Sequence, residues 1–135
     1  MLEQNPVRMR SAVRELLRYN SPVPLAGRTA TQSFVWHGQQ IEQGQGVIVL
    51  LGSANHDPTK FSHPERLAIT RNEAQPLSFG HGPPFCIGAM LAQLEAEIAR
   101  ATLLKRMPSL QPIDATPGWC PNVSFRGLVT LPLAW

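Results

Sequence analysis

In "NPVRMRSAVRELLRYNSP" the apolar residues Met9, Val13, Leu16 and Leu17 recur three or four positions apart, the spacing of one helix face. Asn5 stands where an N-cap would sit, Pro6 at the first helical position, and Asn20-Ser21-Pro22 stops the pattern. From Thr29 to Gly52 the pattern shortens to runs rich in Val, Ile and Trp, punctuated by His37-Gly38 and by Gly44 and Gly46. These predict strands of a small antiparallel sheet. Residues 53–78 hold Pro58, Pro64 and Pro76 with little periodicity and predict an irregular connection. A connection this long inside a compact domain is usually functional. The helical period returns in "IGAMLAQLEAEIARATLLKRM", with Ile87, Met90, Leu91, Leu94, Ile98 and Leu104 in step, until Pro108 ends it. The tail "WCPNVSFRGLVTLPLAW" alternates and predicts one or two terminal strands, so the elements sum to an α+β chain.

With 135 residues, 43% of them hydrophobic, the chain fits one domain with an ordinary packed core. The longest apolar run, Val47 to Leu51, is too short for a bilayer, and Arg8 and Arg10 stand where a signal peptide needs an apolar core. A cytoplasmic protein with no membrane contact is expected. The net charge of +3 originates in residues 1–28, which hold five arginines and two glutamates. They form no continuous basic run and no aromatic precedes Tyr19, so the pattern reads as a solvated helix face rather than a nucleic-acid site. Cys86 and Cys120 stand apart with no CxxC, which supports neither a zinc ribbon nor a dithiol redox motif.

One stretch carries chemistry. "FGHGPPFCIG", residues 79–88, holds Cys86 among three glycines and two prolines, directly before the second helix. A cysteine there faces unpaired backbone N–H groups and the positive end of the helix dipole, both of which stabilise a thiolate. Gly80, Gly82 and Gly88 remove side chains where the backbone would approach a large flat partner, and Phe79 offers a ring to pack beneath it. Heme is such a partner, and one thiolate suffices to hold its iron. Covalent attachment would need CxxCH, which is absent.

The set Phe79, Gly82, Cys86 and Gly88 resembles the FxxGxxxCxG heme signature of the cytochrome P450 monooxygenases. "ELLR", Glu15 to Arg18, resembles that family's ExxR helix. "NHDPTKFSHPER" resembles its Asn-x-Asp-Pro and PERF segment, with Arg66 as third member of a Glu-Arg-Arg cluster. "FRGLVTLPLAW" resembles its closing hairpin, so the likeness runs from about Leu2 to Leu133. Glu15 and Arg18, at i and i+3, lie on one helix face and could pair with each other and with an arginine from the irregular connection. Such a cluster, when buried, fixes geometry more reliably than it adds stability.

The resemblance implies a mainly α fold, of which residues 1–135 are the C-terminal part of a single domain, about a third of its length, of the soluble bacterial type. It implies heme b with Cys86 as the axial thiolate, and Phe79, Gly80, His81, Gly82, Ile87, Gly88 and Ala92 around the cofactor. Arg28, just before the first strand, would pair with a heme propionate. Val23, Pro24, Leu25 and Ala26 would face substrate, unless they simply pack in the core. The family reaction inserts one oxygen atom of O2 into a small organic substrate, with electrons from a ferredoxin and its reductase.

Departures from the family pattern also bear on the site. Pro84 replaces the His or Arg that usually serves a propionate, and His56 replaces the usual arginine after Asn55. His81 would supply the missing donor if it points inward, and sits in solvent if it does not. Trp36, His37 and His63 read as ordinary core or surface residues. The distal helix that delivers protons to bound oxygen has no counterpart in these residues, so the 135-residue chain by itself is expected to lack hydroxylase activity. Three readings compete: the heme-ligating segment of a monooxygenase, a truncated non-catalytic remnant or interaction protein with weak or no heme binding, and a small protein that uses Cys86 as a redox or nucleophilic thiol. The last lacks a positioned histidine partner nearby.

Overall fold

The computed structural model describes residues 6–114 and 116–135. The N-cap expectation for Asn5 lies outside them. Helix α1 spans Pro6–Tyr19, starting on the proline as predicted. Met9, Ala12 and Val13 are buried on one side and Glu15 and Arg18 on the other, so this helix is covered on two faces rather than one. The apolar face meets helix α3, Ala89–Arg106, where the small residues Ala89 and Ala96 permit close approach and Arg10 stands 3.8 Å from Glu97. Helix α1 ends because Pro22 cannot continue it. Asn20 N–H and the Ser21 hydroxyl then satisfy the carbonyls of Leu16 and Leu17, at 3.0 and 3.1 Å.

The predicted sheet separates into two ladders. Strand β1, Ala26–Thr29, pairs antiparallel with β4, Gly46–Val49, in the register Ala26 to Val49 and Arg28 to Val47. Between them, β2 (Phe34–Trp36) and β3 (Gln39–Ile41) form their own hairpin. The hairpin turns at His37-Gly38, both at positive φ (47° and 79°), as a two-residue loop matched to strand twist requires. The ladders do not merge because the groups of Ala30 are consumed by the loop: its N–H donates to Gln45 and its carbonyl accepts from Gly44. The first strand begins at Ala26, so Arg28 lies within it and not before it.

A single-turn helix, α2 (Leu51–Ala54), opens the irregular connection. It continues through turns, among them Asp57, whose carboxylate accepts from the Thr59 N–H and hydroxyl at 2.8 and 2.7 Å. Leu51, Asn55 and Phe61 are buried in this segment, and Asn55 and Phe61 meet Arg18 of α1. After α3, strand β5 (Gln111–Pro112) pairs antiparallel with β6 (Leu133–Ala134), and Trp119 bridges Leu128. "FRGLVTLPLAW" is therefore one arm of the closing hairpin, and the other arm comes from residues just after α3.

The large apolar residues of α3 turn away from α1. Met90 is 83% exposed and Ile98 57%, with Leu91 and Leu94 exposed beside them. Among the described residues no helix is long and apolar enough to cross a membrane.

Candidate functional site

The cysteine loop is built by backbone hydrogen bonds that its sequence makes possible. Gly80 and Gly82 adopt φ of +80° and +72°, which costs a residue with a Cβ about 1–2 kcal/mol. These reversals let Gly80 N–H reach the Leu77 carbonyl (2.8 Å), Phe85 N–H the Gly82 carbonyl (2.9 Å) and Cys86 N–H the Phe79 carbonyl (2.9 Å). Gly88 caps α3, and the Cys86 carbonyl accepts from Ala89 N–H at 3.1 Å. The Phe79 and Phe85 rings meet edge to face, 6.4 Å between centroids.

On this scaffold Cys86 is exposed and free of any disulfide, as is Cys120. His81, Gly82, Pro84, Ile87 and Ala92 are exposed, while Phe79, Gly80 and Gly88 are half-buried. A Cβ placed on Gly82 would meet no atom within 4 Å, so the space over the loop is open to a broad partner. One exposed thiol, Gly80, Gly82 and Gly88 around it and the bare Ile87 beside it fit a flat, largely apolar group held through a single sulfur. Among the described residues no group of three His, Cys, Asp or Glu forms a metal site of another kind.

A buried charged cluster joins α1 to the irregular connection that leads into the loop. Arg18, fully buried, donates Nε to Glu15 Oε2 at 2.8 Å and Nη2 to Oε1 at 2.9 Å, a two-point pairing. Its remaining donors reach the carbonyls of Asn55 (2.7 Å) and Arg66 (3.1 Å). Arg71, not Arg66, is the third member: Arg71 Nε lies 3.1 Å from Glu15 Oε1 and its Nη1 2.7 Å from Glu73 Oε2. The Arg66 guanidinium points outward, 74% exposed, 3.8 Å from Glu65. The cause is the turn at residues 63–66, closed by Arg66 N–H on the His63 carbonyl, which directs the Arg66 carbonyl inward and its side chain out.

Burial pushes the Glu15 carboxyl up, but hydrogen bonds from Arg18, the Ala68 N–H and Arg71 outweigh it and hold the group below its ordinary value of 4.5. Arg71 is likewise disfavoured by burial, and its bonds to Glu73 and Glu15 reverse the effect and raise it.

Asn55 links this cluster to the loop. It is fully buried, its Nδ2 donating to Ser21 Oγ (2.8 Å) and Ser78 Oγ (3.0 Å), and its Oδ1 accepting from Leu77 N–H (2.7 Å). Arg71, Ser78 and Phe85 were not singled out by sequence reasoning, Ser21 only as part of the stop of α1, and Asn55 only as part of a motif. The one local signal was the place of Leu77 and Ser78 immediately before the loop.

The substrate-side and propionate candidates lie elsewhere on the chain. Val23 to Ala26 are half-buried, and Pro24 and Leu25 line an open cavity with Tyr19, Leu50 and His56. Arg28 is exposed on β1, its Nη1 donating to the Gly27 carbonyl at 2.7 Å.

Residues 7–122 match the family model described as Cytochrome P450. The chain is 45% identical over 134 residues to the biotin biosynthesis cytochrome P450 of Bacillus subtilis, covering 99% of this chain and 34% of that protein. It is 44% identical over 138 residues to the polyketide biosynthesis cytochrome P450 PksS of the same organism, covering 98% and 34%. The solved structure of P450BioI with an acyl carrier protein bearing hexadec-9Z-enoic acid superposes with a TM-score of 0.92 at 45% identity, over 99% of this chain and 35% of that one. The chain therefore spans about a third of the length of the relatives it matches. Its ordered motifs, its fold and its match over most of its length show that this chain belongs to the cytochrome P450 family.

Proposed function

We propose that this chain forms the thiolate side of the heme site of a cytochrome P450 monooxygenase, with Cys86 as the axial ligand. The observation that carries the reading is the exposed Cys86 thiol in a loop with positive-φ glycines at the head of α3, in a chain of this family. Phe79, Gly80, Gly82 and Gly88 would shape the loop under the ring, Ile87 and Ala92 would pack against its edge, and His81 and Arg28 would serve its carboxylates. When bound, heme supplies the iron at which O2 is activated.

The chain's own contribution is positional. The loop hydrogen bonds hold one sulfur at a defined height, and the Glu15, Arg18 and Arg71 cluster keeps the underlying segments from shifting. Val23 to Ala26 would border the substrate, a small organic molecule, and electrons would come from a ferredoxin and its reductase. Substrate selection and turnover belong, on this reading, to a polypeptide that also includes the remaining two thirds of the length of the relatives. The exposed apolar face of α3 supports this, being the kind of surface that further helices cover.

The test is the carbon monoxide complex of the reduced, heme-loaded complete enzyme formed with this segment. A strongly red-shifted Soret band is expected from the parent and from Cys120→Ser, and its loss from Cys86→Ser. Survival of that band in Cys86→Ser would overturn the ligand assignment.

A further inference from the structure

Residues 81–87 of the cysteine loop are all exposed, so the loop is oriented from its two ends. One end is the start of α3. The other is Leu77-Ser78, and its attachments are unusually specific. Ser78 Oγ donates to the Leu17 carbonyl at 2.7 Å, one of the carbonyls that the end of α1 leaves without an intrahelical partner. That commits the hydroxyl proton, so the Ser78 oxygen can only accept, and it accepts from Asn55 Nδ2 at 3.0 Å. The other proton of the same amide goes to Ser21 Oγ, whose own proton also goes to the Leu17 carbonyl. Asn55 Oδ1 then accepts from Leu77 N–H, and the Asn55 carbonyl accepts from Arg18. No buried side-chain nitrogen or oxygen among the described residues is left unpaired.

We infer that Ser78 is the positioning residue that couples the Glu15, Arg18 and Arg71 cluster to the Cys86 loop, through Asn55. The inference rests on the reading of Cys86 as the functional thiol, but its geometry is independent of what the thiol binds. Ser21 provides a matched comparison inside the molecule. It shares the Leu17 carbonyl and the Asn55 amide with Ser78, yet it belongs to the end of α1 and not to the loop. A hydroxyl that only stabilised the fold would be interchangeable between the two positions, whereas a hydroxyl that orients the loop matters at 78 alone.

The experiment is carried out on the heme-free full chain in dilute solution, by amide hydrogen exchange and by the alkylation rate of Cys86 relative to Cys120. Ser78→Ala should speed exchange of the Phe85 and Cys86 amides and alkylation of Cys86 by at least about fivefold, because it removes both the donor to Leu17 and the acceptor for Asn55. Ser21→Ala should leave both near the parent values, and Ser78→Thr, which keeps the hydroxyl, should retain them. Equal acceleration in Ser21→Ala and Ser78→Ala, or none in either, would overturn the proposal. If Ser78→Ala does not fold, Ser78→Cys keeps the volume with a weak donor, and unchanged amide exchange in it would overturn the proposal equally. Because no heme is present, a failed thiolate assignment in the carbon monoxide experiment would leave these outcomes standing, and the reverse also holds.

Discussion

Arg71 Nε closes on Glu15 Oε1 at 3.1 Å, joining the irregular connection to the first helix across 56 positions of chain. The same carboxylate is held from its own helix by Arg18 and from the backbone by Ala68 N–H at 2.9 Å. One buried acid thus accepts from three residues on two segments, its own helix and the irregular connection. A buried charge of this kind is well satisfied, and correspondingly costly to strand.

Removing the acid takes from buried Arg18 its carboxylate partner and leaves Arg71 with Glu73 alone. Glu15→Ala should cost about 3–5 kcal/mol by denaturant unfolding. Arg66→Ala should cost under about 1 kcal/mol, since its guanidinium is exposed and pairs with Glu65 at the surface. A large loss from Arg66→Ala with little from Arg71→Ala would return Arg66 to the cluster.

The depressed Glu15 carboxyl makes stability depend on pH. A carboxyl whose folded value lies below its unfolded value of about 4.5 contributes fully above that value. The contribution is lost as pH falls through the lower, folded value. Stability should therefore fall steeply below about pH 4.5, and Glu15→Gln should flatten that part of the profile while lowering the plateau. A parallel profile for the two proteins, measured by urea unfolding at a series of pH values, would contradict the assignment.

Gly82 and Gly27 offer a clean contrast, because an added Cβ meets nothing within 4 Å at either position. Gly82 alone has positive φ, so Gly82→Ala should cost about 1–2 kcal/mol through backbone strain. Gly27→Ala should stay within about 0.5 kcal/mol. Comparable thermal midpoints for the two variants would mean that the loop does not require its left-handed turn.

The outward face of α3 should make the 135-residue chain self-associate as concentration rises. Met90→Lys with Ile98→Lys should shift sedimentation toward the monomer while leaving the helical circular dichroism unchanged. Identical sedimentation of parent and double variant would show that this face is not what associates.

Both long helices, the turn at His37-Gly38 and the cysteine loop were legible in the sequence because each is set by local rules. Helical spacing, a proline at the first position, two residues at positive φ and a cluster of glycines act within a few residues of themselves. Glu15 and Arg18 were legible for the same reason, since residues three apart on a helix must share a face. Which distant arginine joins them was not. Arg66 and Arg71 are five residues apart in a segment without periodicity, and the choice was made by a turn that sends one side chain inward and the other out. The division of the strands into two ladders also escaped the pattern, because it depends on where the groups of Ala30 find partners across the loop. The Asn55, Ser21 and Ser78 junction lay furthest from view: the Asn55 amide reaches residues 23 and 34 positions away, and only folding brings those donors and acceptors into one dry space where each must be paired.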